Sequence, residues 1–222
     1  MSYLKQYFQF VIQIFSWRML PLHASAVLTT IFLVLSGFDW KYCVFVLSTM
    51  PDKLLLAADI SGYVFAVFVP LGLLLAGWLL RNSFYRLYAE AVLFAVVLGF
   101  TLSTFIKMFT GRTSPPHSHH GGELILIDNS HTFHFGFMQE QIIGGWPSSH
   151  ATIMFALATT MIWILPSRWY IRALLFSVAL FVGIRVTFGF HWLSEFVAGA
   201  LLGIAVGLVV GKYYKGQLHQ NS

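Results

Sequence analysis

The chain is a succession of long apolar runs separated by short polar breaks. A membrane-crossing helix needs roughly 20 mostly apolar residues. Six stretches meet that need approximately: 22–38, 60–80, 87–107, 147–166, 173–190 and 192–211. Ahead of them, Lys5, Gln9 and Gln13 are set at helical spacing against Tyr7, Phe8, Phe10 and Val11. That pattern predicts an amphipathic helix within residues 1–21, lying in the membrane interface. A cleaved leader is the rival reading, since Ala24-Ser25-Ala26 has the form of a cleavage site. The preceding run is broken by glutamines and followed by Arg18, which argues against it. Residues 39–58 are mixed, and Tyr42–Met50 is too short to span, so this stretch is expected along the outer interface. The predicted fold is therefore an all-α integral membrane protein. It has six transmembrane helices plus the N-terminal interfacial helix, in one domain over 1–222.

Composition supports this reading. The 222 residues are 58% hydrophobic and 9% charged, against about a quarter charged in an ordinary soluble domain. The net charge of +5 is a matter of placement. Eight of the thirteen Lys and Arg (Lys5, Arg18, Arg81, Arg86, Arg168, Arg172, Lys212 and Lys215) fall on one side if the N-terminus is cytoplasmic. This is the positive-inside pattern and sets both termini in the cytoplasm. No soluble face is left to gather a nucleic-acid-binding patch. The single cysteine, Cys43, forms no internal disulfide.

The other cations carry the chemistry. Lys107 closes the third span, His150 opens the fourth, and one loop, 110–146, joins them on the same side. The chain then crosses and returns, so Arg185, His191 and Glu195 reach that side too. Topology alone thus gathers Lys107, Arg112, Ser148, Ser149, His150, Arg185, His191 and Glu195 at one membrane face. Ionisable groups at such depth mark function.

The stretch Gly145-Trp146-Pro147-Ser148-Ser149-His150 is predicted to start a helix, with Pro147 in its first turn. The N–H groups of Ser148, Ser149 and His150 then point outward as an anion site. Three cations converge there, and arginine meets phosphate bidentately. His191 and Glu195 are four apart, so the carboxylate can hold one ring nitrogen as N–H and leave the other as a nucleophile. His150 is placed to protonate a leaving oxygen and then activate water.

These residues resemble the type 2 phosphatidic acid phosphatase superfamily over roughly 59–212. Its second motif, Pro-Ser-Gly-His, reads Pro147-Ser148-Ser149-His150. Its third reads Ile184-Arg185, five residues, His191, three residues, Glu195, followed by Gly199 and Gly203 at helix-packing positions. The first motif runs from Lys107 to Pro115, with Ser114 where arginine belongs and Arg112 two residues earlier. Ser149 stands for glycine and Glu195 for aspartate.

The resemblance implies a phosphohistidine on His191, with His150 as general acid and base and Glu195 as the orienting carboxylate. It implies phosphate binding by Lys107, Ser148, Arg185 and backbone amides. Arg112 is assigned the missing arginine's contact. Ser149 adds a hydroxyl to the site. No metal and no other cofactor is implied. The expected protein is a bacterial inner-membrane lipid phosphatase with its site facing the periplasm and loop 110–146 shaping the entrance. Its expected partners are the bilayer and a lipid phosphate. Candidate substrates are lipid A phosphates, phosphatidylglycerol phosphate, phosphatidic acid and undecaprenyl pyrophosphate.

Two other readings stay open. The same histidine chemistry serves phosphoryl transfer between lipid carriers. Alternatively, the loop histidines His117, His119, His120, His131 and His134 suit a non-enzymatic metal-binding or transport protein, though their spacing follows no zinc pattern.

Overall fold

In the computed structural model, serine side chains cap two of the helices, Ser2 at the first and Ser148 at the fifth. The structure describes residues 2–49, 83–116, 127–139, 145–165 and 168–220, with isolated positions at 68, 71–72, 75–77 and 79. Most of the span expected at 60–80 and the histidines at 117, 119 and 120 lie outside the described residues. The described elements are helices: α1 Tyr3–Ile14, α2 Leu20–Leu35, α3 Phe38–Thr49, α4 Ser83–Thr110, α5 Ser149–Ile164, α6 Trp169–Arg185 and α7 Leu193–Gln220. A 3-10 turn, Trp17–Met19, links α1 to α2. One isolated bridge, Arg112 to Phe133, is the β pairing among the described residues.

Among the described residues, three helical segments are long and apolar enough to cross a membrane: Trp17–Leu35, Tyr85–Thr110 and Leu193–Gln220. The shorter α5, Ser149–Ile164, is also apolar. Many large apolar side chains on α2, α4 and α6 are exposed, among them Phe32, Phe100, Leu174 and Phe181. Such a surface suits lipid rather than water.

Two boundaries differ most from expectation. The fifth span was expected to run to 190, but α6 stops at Arg185. The chain then turns through Gly189, whose φ of +105° favours glycine. The last span was expected to end at 211, but α7 runs to Gln220. Its polar end is held by protein contact: Tyr214 is buried, and the Phe10 ring meets Tyr213 edge-on at 5.2 Å.

The N-terminal helix is α1, and it turns a stripe of Gln6, Phe10 and Ile14 into the protein. Gln6 donates to the Tyr214 hydroxyl at 3.4 Å, and Tyr7 shares a 2.7 Å hydrogen bond with Thr101. Lys5, Gln9 and Gln13 stay exposed, together with Leu4, Phe8 and Ile12.

The central pair is α5 against α7. Along one face of α7 run Gly199, Gly203, Gly207 and Gly211, one per turn. A β-carbon at Gly199 would strike the Ser148 carbonyl, and one at Gly203 the Thr152 carbonyl. Small residues let helices approach backbone to backbone. This contact sets the start of α5 on the first turns of α7.

Candidate active site

The site is built where helices begin and end. The N-termini of α5 and α7 meet there, with Ser148 N–H donating to Glu195 O, and the Lys107 charge in the last turn of α4 reaches His191. His191 lies in the turn before α7, held by its own N–H, which donates to Val186 O at 2.9 Å. Glu195 sits in the first helical turn. Their side chains meet, Nδ1 to Oε2, at 2.5 Å, with the carboxylate wholly buried. A carboxylate at Nδ1 fixes the proton there, which leaves Nε2 with its lone pair. The His150 ring stands 6.1 Å from the His191 ring, inclined at 61°.

Burial pushes the His191 pKa below the usual imidazole range. The Lys107 and Arg112 charges push the same way, while Glu195 opposes them. Lys107 is itself buried, in the last turn of α4.

The start of α5 differs from the expected anion site. Pro147, joined to Trp146 by a cis peptide, precedes the cap, and the helix begins at Ser149. Ser148 is the N-cap: its hydroxyl accepts the Ala151 N–H at 3.4 Å. Its own N–H donates to the Glu195 carbonyl at 3.0 Å. Of the three N–H groups expected to point outward, that of Ser148 is thus taken up by the Glu195 carbonyl, while the cap itself serves Ala151. The Ser149 hydroxyl accepts from Ser103 at 2.9 Å. Arg185, half-buried at the end of α6, lies 5.0 Å over the Phe181 ring.

Arg112 is placed differently from expectation. Its side chain is fully buried. Nη1 donates to Ser194 Oγ at 2.6 Å, and Nη2 to Asp39 Oδ2 at 2.8 Å and to Ser130 O at 2.6 Å. The Phe133 and Trp192 rings face it at 4.8 Å and 5.5 Å. A guanidinium so enclosed has no face left for a substrate phosphate. It backs Glu195 instead, with Nε 3.7 Å from Oε1.

Asp39, Ser194 and Ser130 are members of this cluster that sequence reasoning missed. A carboxylate between apolar and aromatic residues is itself a signal, but beside Trp40 and Lys41 it passed for a headgroup-level residue. The described part of loop 110–146 folds back on α4. Gly136 N–H donates to Phe109 O at 3.0 Å and Met138 N–H to Met108 O at 2.7 Å. These carbonyls would otherwise be orphaned at the helix end. Among the described residues no group of His, Cys, Asp and Glu is arranged to hold a metal.

The PAP2 superfamily model matches residues 88–218. The chain belongs to the PAP2 superfamily. No curated protein sequence matches it. Two solved structures share the PAP2 chain's fold. One is Aquifex aeolicus LpxE, at 21% identity and TM-score 0.51, covering 78% of this chain and 94% of that one. The other is a transmembrane PAP2 type phosphatidylglycerolphosphate phosphatase from Bacillus subtilis. It is 12% identical with TM-score 0.54, covering 93% of this chain and 98% of that one. The superfamily match includes every expected site residue from Lys107 to Glu195 and leaves Asp39 outside.

Proposed function

We propose that this PAP2 protein is an integral membrane lipid phosphatase working through a phosphohistidine on His191. The observation that carries the reading is the dyad: His191 bonded through Nδ1 to buried Glu195, with a second imidazole 6.1 Å away. In the first step the Nε2 lone pair of His191 forms an N–P bond as the P–O bond to the lipid breaks. His150 gives its proton to the departing oxygen. In the second step His150 takes a proton from water, whose oxygen attacks phosphorus and breaks the N–P bond. Phosphate leaves and His191 is restored. Lys107 and Arg185 counter the charge on the transferring group, with Ser149 and first-turn N–H groups as donors. No step needs a metal.

The setting follows from charge and topology. Six spans, cytoplasmic termini and a periplasmic site in a bacterial inner membrane fit the Lys and Arg distribution. An apolar cavity of about 510 Å³ lies beside the site, lined by Trp17, Val27, Ile106, Pro147, Ala198 and Leu202. It suits an acyl or prenyl tail arriving from the bilayer. The substrate is a lipid phosphate monoester or pyrophosphate. The B. subtilis neighbour's phosphatidylglycerolphosphate favours that lipid as the first to test.

The experiment is phosphate release by purified protein from the four candidate lipids, without added metal. Turnover is expected, and its loss in His191→Ala. Turnover unchanged in His191→Ala would exclude the proposed nucleophile. Labelled phosphorus recovered in a second lipid instead of free phosphate would establish transfer in place of hydrolysis.

A further inference from the structure

We infer that Asp39 is a positioning residue for the His191–Glu195 dyad, acting through Arg112 and Ser194; this rests on the proposed histidine chemistry. Asp39 lies on α3, outside the superfamily match at 88–218, and is wholly buried. Its Oδ1 accepts the Ser194 N–H at 2.9 Å, and its Oδ2 accepts the Ser194 hydroxyl and Arg112 Nη2. Ser194 is the second residue of α7. Its N–H is one of the helix-start donors without a helical partner. A carboxylate there also meets the positive end of the helix dipole. Asp39 thus caps α7 from another helix, one residue before Glu195.

The second branch runs through the guanidinium. Arg112 uses both terminal nitrogens on Asp39, Ser194 and Ser130. Its Nε faces Glu195 Oε1 at 3.7 Å, and neither atom makes a hydrogen bond among the described residues. One cation is therefore held between two carboxylates. The outer one accepts from Nη2, and the inner one keeps its other oxygen for His191. With the outer carboxylate neutralised, Arg112 is drawn toward Glu195, and Glu195 away from His191. Removing one charge from such a buried set unbalances what is left.

The charged and titratable groups facing His191 are Glu195 on α7, His150 on α5, Lys107 on α4 and Arg112 after it. Asp39 on α3 stands behind Arg112. Arg185 closes α6, over Phe181.

The test compares Asp39→Asn, Asp39→Glu and Ser194→Ala with wild type, in detergent. Asp39→Asn keeps the shape and an acceptor but loses the charge. Its kcat should fall roughly tenfold to a hundredfold, the scale on which misplaced catalytic groups lose rate. KM should stay within about twofold, because Asp39 does not touch substrate. Asp39→Glu should recover part of kcat. The His191 ring, followed by NMR in histidine-labelled protein and assigned with His191→Ala, should titrate at lower pH in Asp39→Asn, since a negative charge is lost. This readout needs no turnover, so failure of the proposed activity leaves it interpretable. An unmoved His191 titration, or a kcat per folded molecule equal to wild type, overturns the inference. If Asp39→Asn does not fold, Ser194→Ala is read in the same way. It removes the hydroxyl shared by Asp39 and Arg112 and should lower kcat at constant KM; unchanged kcat overturns the inference.

Discussion

The backbone N–H of Ser148 donates to the carbonyl oxygen of Glu195 at 3.0 Å. This bond ties the residue before α5 to the first turn of α7, at the level of both imidazoles. It requires the two helices to touch along their backbones. Gly199, one turn beyond Glu195, allows this because a β-carbon there would collide with the Ser148 carbonyl. The separation of His150 from His191 is thus set by glycine packing as much as by the histidines' own contacts.

Gly199→Ala and Gly203→Ala should each destabilise the protein by about 1–3 kcal/mol, the usual cost of overpacking. Thermal unfolding in detergent measures it. Gly216→Ala, with nothing within 4 Å of the new methyl group, is the control and should be neutral or slightly stabilising. Equal midpoints for all three variants would contradict backbone-to-backbone packing.

Glu195→Gln keeps the size of the orienting group but removes its charge. The amide can present its N–H to Nδ1 and favour the wrong tautomer, as in serine-protease triads, where the matching change lowers kcat by about 10⁴-fold. A loss between about 10² and 10⁴ in kcat is expected here, with KM little changed. Steady-state phosphate release decides it, and a loss under threefold would remove Glu195 from the dyad.

Burial, with Lys107 and Arg112, lowers the His191 pKa from its usual value. The neutral, nucleophilic ring therefore persists to more acid pH than an exposed histidine, which titrates near ~6.5. The ring should titrate below that value by NMR, and kcat should keep its level as pH falls toward it. In Glu195→Gln the group that pulled the pKa up is gone, so the midpoint should fall further. A midpoint above the ordinary value in wild type would reverse the sign of this argument.

Cys43 on α3 is buried, and its thiol is pushed up to about 11, first by burial and then by the Asp39 and Asp128 charges. Thiolate is the reactive form. Folded protein should resist a maleimide at neutral pH, and denatured protein should take up one equivalent. Rapid labelling in the native state would mean that α3 does not stay packed on α7.

That the chain is helical with membrane-crossing apolar runs was legible in its hydropathy, and the four-residue spacing of His191 and Glu195 announced their contact. The packing role of Gly199 and Gly203 was legible from their spacing; Gly207 and Gly211 extend the same stripe. The reach of α7 to Gln220 was not, because Tyr213 and Tyr214 are held by contacts with α1 that local hydropathy does not register. Nor was the fate of Arg112. Its partner Asp39 is 73 residues away on an element too short to span, and no periodicity links the two. The cap at Ser148 was half-visible: serine before an apolar run signals a helix start, but the N–H it gives to Glu195 belongs to tertiary structure.

Asp39 also has a consequence for how the chain is made. It leaves the ribosome 73 residues before Arg112, so the acid enters the membrane system with its counter-ion not yet synthesised. An unpaired carboxylate is costly in hydrocarbon. At about 1.5 Å per residue, the twelve residues of α3 reach only about 18 Å. They can wait at the headgroups until α4 and the turn after it emerge. The charge-balanced seat of Asp39 therefore exists only once Arg112 has been made. A fragment started at residue 88, where the superfamily match begins, would deliver that arginine with no acid to receive it.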